Sequence, residues 1–405
     1  MNIWWISKYV GIPKYGAPGA RLFFLAREFV KMGHKVFVIT SDSNHLANYP
    51  KTTERYNCEE IEGVPVCWIK TKKYRKSASV SRILSWLDFE RWLFLMDTER
   101  LDAPDVVVVS SLSLLTILYG LYLKRKYGAF LVFEVRDIWP LTAVEDLGVS
   151  RWNPVILLLG WVERIGYKKS DLIVGTMPRL GLHVEEVLGY KRPVFISPLG
   201  FDPERYKGDV AENPFDDVFP KGKMIIGYAG SMGRTNALET FVEAVKLLKD
   251  EPDIHFALMG DGDLRKKFER ELSGCHNVTF LPKVEQEKVR FFLAKCDVLY
   301  LSAKDSKVWQ YGQSMNKIVE YMVAGKPIIA SYTGYPSMIN EAKCGVFVPN
   351  RDPEALKDIF LRFAKMDKSE LKRMGENGKR WIYKHRTYST LARKYIDIIT
   401  SMLKN

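Results

Sequence analysis

Tyr311-Gly-Gln-Ser-Met-Asn-Lys-Ile-Val-Glu-Tyr-Met-Val-Ala-Gly-Lys-Pro-Ile-Ile-Ala330 reads as a helix that turns directly into a strand. Ser314 is a candidate cap for a helix over residues 316–323. Gly325 ends that helix, and Pro327 opens a short apolar run. A helix feeding a brief, wholly apolar strand is the repeating unit of a parallel sheet covered on both faces. The same stretch carries polar groups with a direction. Free N–H groups at residues 314–317 and the positive end of the helix dipole favour a phosphate. Lys317 adds a cation, and Glu320 lies one turn beyond Asn316, where a carboxylate can accept ribose hydroxyls. An ordinary capped helix with a solvated glutamate would read the same way.

Working outward, residues 223–229, 255–259, 278–281, 297–301 and 345–348 read as strands, with a helix over 238–248. The first half repeats the alternation. Residues 2–7, 35–40, 105–110, 129–135 and 171–175 are apolar runs. Residues 21–31 form an amphipathic helix, and 64–70 suggest an extra strand pair near an edge. Pro198-Leu-Gly-Phe-Asp-Pro203 and the polar residues after it read as a hinge. These features predict an α/β chain of two doubly wound Rossmann-like domains facing a cleft. One spans 1–198, with a last helix over 387–405 packed back on it, and the other spans 199–386. In such sheets ligands sit beyond the carboxyl ends of the strands.

The chain has 405 residues, longer than one core usually grows, and a formal charge of +13. The basic excess is spread over both halves. That suits an anionic ligand or membrane surface better than a nucleic-acid-binding domain, so no nucleic-acid partner is expected. Five scattered cysteines without metal-ligand spacing suggest a reduced setting. No leader is visible, and the most apolar stretch, 112–123, is shorter than the ~20 residues of a membrane-spanning helix. A cytoplasmic protein, peripheral at most to the inner face of a cell membrane, is the expectation. The basic run 72–76 and the aromatic helix after it suit either a membrane surface or internal packing.

Glu320 with the tail Ala324-Gly325-Lys326-Pro327 resembles a motif of the retaining GT-B glycosyltransferases of family 4, also called group 1. The variant Tyr-Gly-x-Ser-x-Asn-Lys-x-x-Glu looks like a branch that includes bacterial L-fucosamine transferases of surface-polysaccharide synthesis. In the family a glutamate at the second-Glu position binds the donor ribose. A first glutamate would fall on Gly312 and is absent. Residues 226–234 look like the strand and Gly-rich loop that open the donor domain. There the family's diphosphate-neutralising Arg and Lys fall on Ser231 and Asn236, with Arg234 as substitute. Tyr15-Gly-Ala-Pro-Gly-Ala-Arg21 resembles the Gly-rich loop of the first domain, and Arg136-Asp137 stands where many members have a histidine.

The resemblance implies sugar transfer from a nucleotide diphosphate sugar, with a UDP-sugar expected. The acceptor would be a glycan or lipid-linked precursor in cell-surface polysaccharide (O-antigen) synthesis. Anomeric retention is implied, with no metal and no separate cofactor. Donor contacts would come from Gly16, Gly230, Ser231, Arg234, Ser314, Met315, Asn316, Lys317 and Glu320. Asp137, with Arg136, would hold the acceptor hydroxyl or the donor sugar, although a buried Arg–Asp pair fixing the loop is also open. Asp261-Gly-Asp263 has a metal-binding form, but Asp263 is expected to cap the helix after it. A nucleotide-sugar 2-epimerase of similar fold, or a non-catalytic nucleotide-sugar-binding protein, would share many of these features.

Overall fold

The computed structural model describes the chain apart from residues 17–19, 45–48, 51, 75–79, 112, 208–212, 337 and 405. Ala17, Pro18 and Gly19 of the first Gly-rich loop therefore lie outside the described residues, as do Arg75 and Lys76 of the basic run. The chain divides into two units. Unit 1 is Met1–Asp202 with Tyr388–Asn405, and unit 2 is Pro203–Thr387.

Among the described residues unit 1 holds eight strands: β1 (Asn2–Ile6), β2 (Lys35–Ser41), β3 (Tyr56–Ile61), β4 (Val64–Ile69), β5 (Val106–Ser110), β6 (Phe130–Val135), β7 (Leu172–Gly175) and β8 (Val194–Ile196). Their order is β3-β4-β2-β1-β5-β6-β7-β8. All neighbours are parallel except the β3–β4 hairpin at the edge. The central strands are apolar on both faces, as β5 shows with every residue buried, because helices cover both sides. The last helix, Tyr388–Leu403, packs on Arg21–Lys31. Tyr388 stacks on Phe24 at 5.1 Å and Tyr395 meets Trp5 edge-on at 5.8 Å.

Arg21 anchors this unit. It is fully buried and its guanidinium donates to Glu134 Oε1 (2.7 Å), Ser197 O (2.7 Å), Ser197 Oγ (3.0 Å) and Pro198 O (3.2 Å). From the same helix Arg27 pairs with Asp202 at 2.7 Å. Two arginines on one helix thus grip the chain where it leaves the sheet.

Unit 2 adds β9 (Met224–Ala229), β10 (Ile254–Met259), β11 (Val278–Leu281), β12 (Val298–Ser302), β13 (Ile328–Ser331) and β14 (Gly345–Val348). All are parallel, in the order β11-β10-β9-β12-β13-β14. That is the doubly wound arrangement, reversing direction between β9 and β12. Ligands of such sheets bind at the carboxyl ends beside that reversal.

Candidate donor site and the polar edge of unit 1

At the carboxyl end of β9 the chain turns through Gly230, whose φ of +149° disfavours any side chain. A Cβ there would stand 2.4 Å from Lys317 Cε and 2.7 Å from Lys317 Nζ. The bare backbone is what admits this lysine. Lys317 belongs to the helix Asn316–Val323, the span the sequence predicts. Its Nζ donates to Tyr228 Oη (2.7 Å) and Asn236 Oδ1 (2.8 Å), both neutral. Burial drags its pKa down to about 8, with Glu320 pulling the other way. An ammonium that is desolvated yet held by neutral acceptors is a ready site for an anion.

The helix start adds to this. Its N-cap is Met315, extended at φ −106° and ψ 135°, whose own side chain makes no capping bond. The expectation that Ser314 would cap is therefore corrected, since the chain enters the helix one residue later. Ser314 and Met315 are half-buried and Asn316 is exposed. One turn on, Glu320 accepts from Gln286 Nε2 at 3.1 Å, and burial raises its pKa. It lines a cavity of about 320 Å3 together with Arg205, Gln286 and Arg290.

Ser231 and Arg234 are exposed, the latter on a short 3-10 turn, Arg234–Asn236. Asn236, where the resemblance would put a lysine, instead receives the Lys317 ammonium. The cation arrives from the helix rather than from the loop. Gly312 has φ +92°, a backbone that suits glycine and not the glutamate of the family motif. The next residue was not foreseen. Gln313 is only 2% exposed, and neither its Nε2 nor its Oε1 has a hydrogen-bond partner. Its one sequence signal is its place beside the glycine that displaced the glutamate. Asp263 is a second capping correction. The helix Arg265–Glu271 has Leu264 as its N-cap and no side-chain cap, while Asp261 Oδ1 accepts from the Gly262 N–H at 2.8 Å.

In unit 1, Gly16 closes a 3-10 turn, its N–H donating to Pro13 O at 2.9 Å. Arg136 and Asp137 follow β6, and they do not pair with each other. Arg136 Nη1 donates to Tyr9 O (3.3 Å), and Asp137 accepts from Thr142 Oγ1 (2.8 Å) and Trp139 Nε1 (3.1 Å). Burial lowers the pKa of Arg136 and raises that of Asp137. The buried ion pair left open by the sequence is thus corrected to two separate anchors. Glu145, on the short helix that follows, faces Arg151 at 3.8 Å. Lys8, just past β1, was also missed. It is buried, donates to Ser43 O (3.2 Å) and Ser41 Oγ (3.4 Å), and burial brings its pKa down to about 7.

Comparison with known proteins is consistent with these two units. Residues 16–200 match the family model of the glycosyl transferase 4-like domain, and residues 223–365 match that of glycosyl transferases group 1. A probable glycosyltransferase, WbjE of Pseudomonas aeruginosa, is 27% identical over 312 residues, covering 75% of this chain and 76% of its own. A putative colanic acid biosynthesis glycosyl transferase, WcaI of Escherichia coli, is 27% identical over 293 residues, covering 67% and 68%. Among solved structures, sucrose-phosphate synthase from Thermosynechococcus elongatus matches with a TM-score of 0.73 at 17% identity, covering 100% of this chain and 99% of its own. Anabaena Alr3699/HepE, solved in complex with UDP-glucose, matches with a TM-score of 0.68 at 14% identity, covering 99% and 100%. At such identities the two structures speak for the fold alone.

Proposed function

We propose that this chain, which is a glycosyltransferase of the GT-B fold, moves a sugar from a UDP-sugar to a glycan or lipid-linked acceptor of surface-polysaccharide synthesis. The observation that carries the reading is Lys317. Its ammonium, with a pKa near 8 and only neutral bonding partners, sits beside Gly230 in the first turn of the helix. A diphosphate supplies the counter-charge this arrangement lacks, and Glu320 accepts the ribose hydroxyls. Gln313 is assigned to the sugar, where its amide can both donate and accept.

The reaction breaks the bond from the anomeric carbon to the diphosphate and forms one to the acceptor oxygen. Charge develops on the leaving diphosphate, and the helix start with Lys317 stabilises it without a metal. The acceptor proton passes to a leaving phosphate oxygen on the same face, so the anomeric configuration is retained. Asp137 and Arg136 serve the acceptor side, each carboxylate oxygen of Asp137 keeping a lone pair beyond its present bond. Arg234, Ser231 and Gly16 are secondary donor contacts. The names of the curated relatives and the UDP-glucose bound to a fold neighbour support the substrate class. The site's place in a bacterial-type surface pathway, close to the L-fucosamine transferase branch, rests on the Tyr311–Glu320 pattern. With a lipid-linked acceptor, the protein would work peripherally at a membrane.

A panel of nucleoside diphosphates and nucleotide-sugars tests the reading by thermal shift. UDP and one UDP-sugar should raise the melting temperature, equally with and without EDTA. A shift by GDP alone, or one abolished by EDTA, would overturn the donor or the metal-free assignment. Proton NMR of the product then reads the anomeric outcome.

A further inference from the structure

The helix Pro154–Lys169 of unit 1 has two apolar faces. Its inner face buries Ile156, Leu159, Val162 and Tyr167 between the neighbouring helices Thr116–Tyr127 and Leu180–Leu188. A surface helix ordinarily turns polar residues outward. This one exposes Val155 (49%), Leu157 (53%), Leu158 (53%) and Trp161 (58%), and the residues leading into it expose Leu147 (61%) and Trp152 (79%). Leu157, Leu158 and Trp161 lie along one stripe by helical spacing, with Val155 one turn before Leu158, so these side chains form a patch rather than isolated exposures.

On this segment itself the exposed charges have one sign, while Glu186 of the adjoining helix Leu180–Leu188 is an exposed acid. Across residues 147–169 the exposed ionised groups are Arg151, Arg164, Lys168 and Lys169. The one acidic residue of that span, Glu163, is turned inward and accepts from Tyr167 Oη (3.0 Å) and pairs with His183 Nε2 (2.7 Å). Arg151 meets a carboxylate only at 3.8 Å, from Glu145. The helix is too short to cross a bilayer, and among the described residues no helix is long and apolar enough to do so.

We propose that this face docks unit 1 on the surface of an anionic lipid bilayer. Trp152, Trp161 and the leucines enter the boundary between headgroups and acyl chains, and Arg151, Lys168 and Lys169 meet headgroup phosphates, while Arg164 donates to Val187 O and Leu188 O. A second copy of the chain fits less well. A two-fold contact would set this segment's four exposed cations, Arg151, Arg164, Lys168 and Lys169, against their own copies, and within residues 147–169 no exposed acid offsets them. The same helix layer holds Val80–Phe94, where Ile83, Leu84 and Leu87 are also exposed. The proposal gives a location to the membrane contact of the proposed function and rests on that contact, while being independent of the donor site.

The test is co-sedimentation of the full chain with phosphatidylcholine vesicles, with and without phosphatidylglycerol. Wild type should partition onto the anionic vesicles and leave them partly as salt is raised. The triple variant Trp152→Ser, Leu158→Ser, Trp161→Ser should partition at least about tenfold less, with unchanged melting temperature and UDP affinity. Lys168→Glu with Lys169→Glu should weaken binding to the anionic vesicles alone, by roughly fivefold per lysine. A triple variant that partitions like wild type overturns the assignment of this face. Wild type that binds no vesicle overturns the membrane contact itself and leaves the donor reading untouched. A wild-type dimer that the triple variant dissociates, without vesicle binding, assigns the face to a second copy instead.

Discussion

Each unit draws a cation out of water, and the two are treated in opposite ways. Arg21 of unit 1 is fully buried, and every direction of its guanidinium is answered: Glu134 supplies the counter-charge, and Ser197 with Pro198 supplies carbonyls. Lys317 of unit 2 is half-buried, and the groups that hold it are a tyrosine hydroxyl and an asparagine amide. The first arrangement is closed. Removing Arg21 leaves Glu134 buried without its partner, and nothing is gained for binding. The second is open, since the desolvated ammonium is met by neutral acceptors and, among the described residues, makes no ion pair. Burial of a charge is thus a poor guide to function by itself, and what surrounds the charge decides.

The contrast predicts effects that cross over. The largest concerns stability: Arg21→Met should destabilise unit 1 by about 3–5 kcal/mol, seen as an early unfolding transition, while donor affinity of the folded fraction stays the same. Lys317→Met should do the reverse, with a melting temperature equal to or above wild type and UDP binding weaker by ~2 kcal/mol or more. A normal melting curve for Arg21→Met would break the comparison as surely as normal UDP binding for Lys317→Met.

Glu320→Ala comes next. Losing two charge-assisted hydrogen bonds to ribose should weaken UDP by roughly 10- to 100-fold, and 2′,3′-dideoxy-UDP should lose little more in the variant. The pH response sharpens the account of Lys317. With its free-state pKa near 8, the lysine is mostly charged at pH 7, and the anion must draw a proton onto it at higher pH. UDP affinity should therefore fall as pH rises above about 8, by no more than tenfold per unit. That fall should be absent in Lys317→Met. The smallest effect belongs to Gln313→Leu. It should leave UDP affinity alone, weaken the intact UDP-sugar by under ~10-fold, and cost no stability, because a buried amide without partners is removed.

The alternating apolar runs made both sheets legible before any coordinates. The strands over 2–7, 35–40 and 105–110 and those of unit 2 stand within a residue or two of where their patterns end. The misses share a cause. β8 is three half-buried residues at a sheet edge, too short and too weakly apolar to stand out. Within the site, the helix 316–323 was legible from Gly325 and Pro327, and so were Lys317 and Glu320 as its polar groups. The caps were not. Ser314 and Asp263 have capping chemistry, but a cap depends on the φ and ψ of one residue, and the chain enters each helix one position later. Gln313 and Lys8 could not be seen, because their burial comes from segments distant in sequence. Asn236 teaches the same point. A family position emptied of its lysine looked like a lost contact, and a lysine from another helix fills the space.

The central claim is that Lys317 is held open for the donor's diphosphate. Isothermal titration of UDP into wild type and Lys317→Met at pH 7 tests it directly. The account predicts binding at least ~30-fold weaker in the variant, about 2 kcal/mol, with the melting temperature of the unliganded protein maintained. Equal UDP affinity in the two proteins would contradict it.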